Sequence, residues 1–92
     1  MKVSQTNNFK RAIKKFKTNE KKALDVAVKQ ILGNPKIGEQ KSGDLRRVWV
    51  YKYKLKVLLY LLAYTYNEEE ITLLAVGFHE NFYRDLKKTQ HG

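Results

Sequence analysis

The chain has 92 residues, with 19 Lys and Arg against 9 Asp and Glu, a formal net charge of +10 at pH 7, no Cys and a single Pro. That length holds one layer of sheet and a few helices around one core, which leaves no room for an enzyme with a separate cofactor module and makes residues 1–92 one expected domain. Without Cys there is no disulfide, thiolate metal site or cysteine nucleophile, as suits a reducing cytoplasm.

Hydrophobic residues at 42% and aromatics at 12% are enough for a core. The longest apolar run, Val57 to Ala63, is far below the roughly 20 residues that span a bilayer. No membrane partner is expected, and the N-terminus carries no apolar stretch of the signal-peptide kind.

Lys2 to Gln5 is long enough only for a short strand. After the capping-type residues Thr6 and Asn7, Phe9, Ala12, Ile13 and Phe16 recur at helical spacing, with Lys10, Arg11, Lys14, Lys15 and Lys17 on the other face. Thr18 and Asn19 restart a helix with Glu20 in its first turn. Leu24, Ala27, Val28, Ile31 and Leu32 form its apolar stripe, and Gly33-Asn34-Pro35 ends it. So few residues join the two that a helical hairpin follows. Pro35 to Asp44 is polar, carries Gly38 and Gly43, and is expected to be a loop.

Beyond it the period becomes two. Arg46, Val48, Val50, Lys52, Lys54 and Lys56 fall on one side of a strand, and Arg47, Trp49, Tyr51, Tyr53 and Leu55 on the other. Val57 to Tyr66 is nearly unbroken in apolar and aromatic residues, as in a central strand covered on both faces. Asn67 to Glu70 makes a turn, Ile71 to Val76 a third strand, and Phe82, Tyr83 and Leu86 suit a short C-terminal helix. The fold class is α+β: an N-terminal helical hairpin packed on one face of a small antiparallel sheet, with a short C-terminal helix.

Two features carry chemistry. The helical lysines are solvated faces, but the strand lysines alternate with aromatics and are spaced by about 6.5 to 7 Å at strand rise, close to the phosphate repeat of a nucleic acid. Such a row can hold a polyanion, although lysines also blunt exposed sheet edges. The other feature is His79, in Gly77-Phe78-His79-Glu80-Asn81-Phe82-Tyr83-Arg84, directly after the third strand. A histidine there can move a proton near neutral pH, with Tyr83 four residues on and Arg84 as a fixed cation, or can serve only as a helix cap beside a core tyrosine. Gly-rich phosphate loops, metal-spaced ligand clusters and nucleophile elbows are absent from the sequence, so metal-independent chemistry with no cofactor is the expectation.

The segments Asp44-Leu45-Arg46-Arg47-Val48-Trp49-Val50-Tyr51-Lys52-Tyr53-Lys54, Tyr60 to Tyr64, and Leu74-Ala75-Val76-Gly77 leading to His79 through Leu86 resemble the RelE/ParE superfamily of type II toxin–antitoxin systems, particularly its RelE-like branch. The likeness covers almost the whole chain. It implies a toxin that enters the ribosomal A site and cuts messenger RNA without a metal ion, using strand lysines or arginines with a His, Arg or Tyr near the C-terminal helix. Lys52 and Lys54 fall where RelE-like toxins carry paired lysines, and His79 and Tyr83 where relatives carry a histidine or arginine and an aromatic. One departure stands out: Leu61 occupies a strand position that holds a catalytic arginine in several RelE-like toxins.

In metal-free RNA cleavage the 2′-hydroxyl attacks the adjacent phosphate, a base takes its proton, an acid protonates the 5′-oxygen and cations stabilise the added charge. The resulting assignment is His79 for proton transfer, Lys52 and Lys54 for the phosphorane or as base, Tyr83 to stack on a base or bond the phosphate, and Arg46, Arg47, Lys56 and Arg84 for RNA binding. A cognate antitoxin is the implied partner, contacting Lys10, Lys14 and Lys17 or the Arg46 region, with the toxin monomeric when free and hetero-oligomeric when bound. A ParE-like inhibitor of DNA gyrase and a non-catalytic nucleic-acid-binding module are the alternatives.

Overall fold

The computed structural model describes residues 1–43 and 47–78. The expected C-terminal helix, with His79, Tyr83 and Arg84, lies outside the described residues, as does Arg46. Strand β1 (Lys2–Gln5) leads into helices α1 (Asn7–Lys14) and α2 (Thr18–Gly33), a 3-10 turn at Pro35–Ile37, a two-residue strand β2 (Glu39–Gln40), and then β3 (Trp49–Leu55), β4 (Leu58–Tyr66) and β5 (Glu70–Phe78). The five strands run in the order β1-β5-β4-β3-β2. The hairpins β3–β4 and β4–β5 are antiparallel as expected, but β1 pairs with β5 in parallel, so the sheet is mixed rather than antiparallel. Part of the segment expected to be loop adds β2 as an edge strand on β3.

Local chemistry sets the helix ends. Thr6 caps α1: its Oγ1 accepts from the Phe9 N–H at 3.1 Å and donates to the Leu74 carbonyl at 2.8 Å, fixing the helix start to β5. Lys17 precedes α2, and its N–H donates to Glu20 Oε1 at 2.9 Å. At the other end of α2 the Asn34 side chain accepts from the Lys36 N–H as the chain turns into Pro35. Both helices bury one stripe, Phe9 from α1 and Leu24, Ala27 and Ile31 from α2, against Leu62, Tyr64, Ile71, Leu73 and Val76 of the sheet.

The other sheet face has a core of its own. Val48, Val50, Leu61, Ala63, Leu74 and Ala75 are all buried there. Leu74 and Ala75 are consecutive, yet they share this face, because a bulge skips Leu74: Ala63 pairs with Ala75 and Tyr64 with Leu73. The face that carries the strand lysines is therefore apolar and buried over much of its area.

Tyr64 ties the sheet to the segment after α2. Its hydroxyl donates to the Pro35 carbonyl at 2.6 Å and accepts from the Gly38 N–H at 3.2 Å. Gly38 is needed for this approach, since a Cβ there would sit 2.8 Å from the Tyr64 hydroxyl and 2.9 Å from the Val50 carbonyl oxygen.

Lys56 does not continue the strand row. Leu55 pairs with Leu58, leaving Lys56 and Val57 as a two-residue turn, with Lys56 at φ 58°. Only the first turn residue has positive φ, the arrangement that favours glycine. The left-handed conformation costs a lysine about 1–2 kcal/mol, whereas the extra unfolded-state freedom of a glycine costs about 0.5–1 kcal/mol. Lys56→Gly is therefore expected to stabilise the protein by about 0.5–1 kcal/mol and raise Tm by several degrees in thermal unfolding.

Candidate functional site

Strand alternation puts Lys52 and Lys54 on the sheet face away from the helices. Both are exposed, while Tyr51 and Tyr53 between and beside them pack into the helix-side core. Lys52 pairs with Leu61, which pairs in turn with Gly77, and Lys54 pairs with Leu59. The end of β5 at Phe78 pairs with Tyr60, the partner of Tyr53. The strand that leads into His79 thus ends two strands from the lysines, roughly 10 Å at normal sheet spacing. A Cβ at Gly77 would have no described atom within 4 Å, so the row from Lys52 to Gly77 has low relief at its far end.

The remaining assignments separate. Arg47 is exposed in the turn before β3, seven residues from Lys54 and roughly 20 Å away along the strand direction. Lys56, expected in the lysine row, lies in the β3–β4 turn and borders a groove on the helix side instead. Leu61 is fully buried in the lysine-side core, directly opposite Lys52. Among the described residues no three His, Asp or Glu side chains are grouped to hold a metal ion, and no described helix is long and apolar enough to cross a membrane.

Nothing in the linear order of residues signals the link between Glu20 and Tyr60, forty residues apart. Glu20 is recognisable only as a first-turn acid, but the Tyr60 hydroxyl donates to its Oε2 at 2.7 Å. The Lys17 N–H and this hydroxyl together hold the Glu20 carboxyl below its ordinary value. Tyr60 is pushed up to about 12, chiefly by burial and then by its bond to Glu20. Around it Phe16 sits edge-on at 5.9 Å, Tyr53 stacks at 5.4 Å and Phe78 tilts at 4.8 Å. The Tyr53 hydroxyl is buried without a hydrogen-bond partner among the described residues, and burial raises its pKa.

A phenol held protonated in the folded state stabilises it below the unfolded value near 10 and loses that contribution as pH rises through the folded value. Urea unfolding is accordingly expected to show stability falling between about pH 10 and 12. Tyr60→Phe should flatten part of that alkaline limb and lower stability at neutral pH by about 1.5–3 kcal/mol, the usual worth of a hydrogen bond to a charged group.

The comparisons with known proteins agree with this fold. Residues 3–87 match the family model of the ParE-like toxin of type II bacterial toxin–antitoxin systems. A search of the curated proteins finds no match. Among solved structures, the toxin fold of a free-state mutant of Escherichia coli RelE aligns with a TM-score of 0.72 at 17% identity, over 98% of this chain and 93% of that one. A chain of the intact E. coli RelBE toxin–antitoxin complex aligns with a TM-score of 0.68 at 20% identity, over 86% and 96%. The isolated E. coli RelE toxin aligns with a TM-score of 0.65 at 18% identity, over 95% and 96%. With the family model spanning nearly the whole chain, and a mixed sheet under two helices shared with RelE, the chain belongs to the ParE-like toxins of type II bacterial toxin–antitoxin systems.

Proposed function

We propose that this toxin is a ribosome-dependent endoribonuclease that cuts messenger RNA in the A site of the cytoplasmic ribosome, without a metal ion. The observation that carries the proposal is the pair of exposed ammonium groups, Lys52 and Lys54, on one sheet face two strands from the end of β5, after which His79 follows in the sequence. In this reading His79 transfers the proton, Lys52 and Lys54 stabilise the phosphorane, and Tyr83 stacks on a base or bonds the phosphate. Arg47 and, from the sequence, Arg46 and Arg84 add phosphate contacts. A cognate antitoxin is the partner, supported by the likeness to the toxin of the RelBE complex, with the toxin monomeric when free.

A second reading, inhibition of DNA gyrase, is favoured by the ParE-like family match and by Leu61, which puts an apolar side chain beside Lys52 where several RelE-like toxins carry a cation. Primer extension on messenger RNA from induced cells distinguishes the two. New ends within codons are expected for the ribonuclease. An SOS response without such ends supports gyrase inhibition, and salt-dependent RNA binding without cleavage, even with ribosomes, supports a binding module.

A further inference from the structure

Strand β5 changes its alternation partway along. Ile71 and Leu73 pack into the helix-side core, Leu74 and Ala75 both join the lysine-side core, and Val76 and Phe78 return to the helix side, with the Phe78 ring 4.8 Å from Tyr60. Gly77 is thereby left opposite Leu61, on the face of Lys52. Had β5 continued from Leu73 without a bulge, Leu61 would meet Val76 and Tyr60 would meet Gly77, and every residue from Ala75 to Phe78 would change face.

The apolar pattern does not choose between these registers. Ala75, Val76, Gly77 and Phe78 carry no polar side chain, and both sheet faces are apolar. Hydrogen bonding does choose. The Glu69 and Leu73 carbonyls accept from the Lys2 and Thr6 N–H groups of the neighbouring edge, so in an unbroken strand the Leu74 carbonyl would face β4. Instead it is turned to the start of α1, where it accepts from Thr6 Oγ1 at 2.8 Å and Asn8 Nδ2 at 3.5 Å. Two side chains thus satisfy the peptide group that the bulge removes from the β4 ladder.

We propose that Thr6, assisted by Asn8, is a positioning residue of the candidate ribonuclease site. By clamping the bulge at Leu74 it holds Gly77 on the lysine side, and so sets the parity that His79, two residues further in the sequence, needs for its proposed role. The proposal rests on the ribonuclease reading for the chemistry and on the bulge alone for the geometry. Thr6 acts through the backbone of β5 and does not contact the reacting phosphate.

Substitutions at Thr6 separate the clamp from the helix cap. Thr6→Asp keeps a good capping acceptor for the Phe9 N–H but loses the hydroxyl that donates to Leu74, whereas Thr6→Ser keeps both. Cross-strand nuclear Overhauser contacts in the isotope-labelled full chain report the register, and single-turnover cleavage of ribosome-bound messenger RNA reports the site. Thr6→Ser should behave as wild type. Thr6→Asp should lose the contacts of Leu61 with Gly77 and of Tyr60 with Phe78, gain those of Leu61 with Val76, and cleave at least roughly tenfold more slowly, as expected of a displaced reacting group. Deleting Leu74 removes the extra residue and leaves the remaining β4–β5 pairs matched, so Thr6→Asp should cause no further loss of cleavage in that background.

Wild-type pairing in Thr6→Asp, a slipped register with undiminished cleavage, lost cleavage with the pairing intact, a Thr6→Ser chain as slow as Thr6→Asp, or further slowing by Thr6→Asp in the Leu74-deleted chain would each overturn the proposal. The two Thr6 variants decide it even where the Leu74-deleted chain fails to fold. A wild-type chain that leaves messenger RNA uncut on the ribosome, while the register still slips in Thr6→Asp, would sink the ribonuclease reading and leave the clamp standing.

Discussion

Lys52→Ala and Lys54→Ala are each expected to slow ribosome-dependent cleavage by roughly 10²-fold or more, the usual loss when one preorganised charge-stabilising donor is removed. Folding should be preserved, because both ammonium groups are exposed, and exposed substitutions usually change stability by less than about 0.5 kcal/mol. His79→Ala belongs in the same series: general acid–base catalysis contributes about 10²- to 10⁴-fold, so at least a tenfold loss is expected. Single-turnover cleavage of ribosome-bound messenger RNA measures all three. A wild-type rate in the Lys52 and Lys54 variants would remove the sheet face from the mechanism, whatever His79 does.

The largest expected effect on stability comes from Leu61→Arg. That substitution places at Leu61 the residue type that several RelE-like toxins carry there, yet here the side chain is fully buried among Val50, Ala63 and their neighbours, with Lys52 directly opposite. An unpaired buried charge costs about 3–5 kcal/mol, a large share of the roughly 5–15 kcal/mol that holds a domain folded. Urea unfolding should show this loss, whereas Leu61→Met should cost less than about 1.5 kcal/mol. Wild-type stability combined with faster cleavage in Leu61→Arg would show that a long side chain at this position reaches the surface, and would return the missing cation to the site.

How much of this was legible in the sequence depends on how local each feature is. The period-two segment from Val48 to Lys54 was enough to separate the tyrosine face from the lysine face, because alternation is a property of the strand itself. Thr6 and Gly33 likewise announced the helix ends. Lys56 escaped because the turn it enters has neither Gly nor Asn, so the alternation seemed to run on through it. Leu74 and Ala75 break the period through a bulge held by Thr6, and nothing in residues 71–78 taken alone indicates it. The parallel pairing of β1 and the covered lysine-side core are tertiary facts of the same kind.

The candidate site divides similarly. Lys52 and Lys54 were visible because strand geometry alone places them together. The helix-side groove was not, since it is drawn from the α1–α2 junction, β3, β4 and β5, and its polar link joins Glu20 to Tyr60 across forty residues. Burial of Leu61 could be anticipated from the apolar run around it, but its position opposite Lys52 needed the register.

The parallel seam between β1 and β5 also bears on how the chain comes into being. Val3 meets Ile71 and Gln5 meets Leu73, and the Thr6 hydroxyl reaches Leu74, so β1, synthesised well before β5, must wait for it before finding its place. Until β5 has emerged, β1 has no neighbour and Phe9 of α1 lacks much of its cover. During synthesis the helix-side core therefore stays open until β5 follows, and the toxin fold closes only with the arrival of that strand.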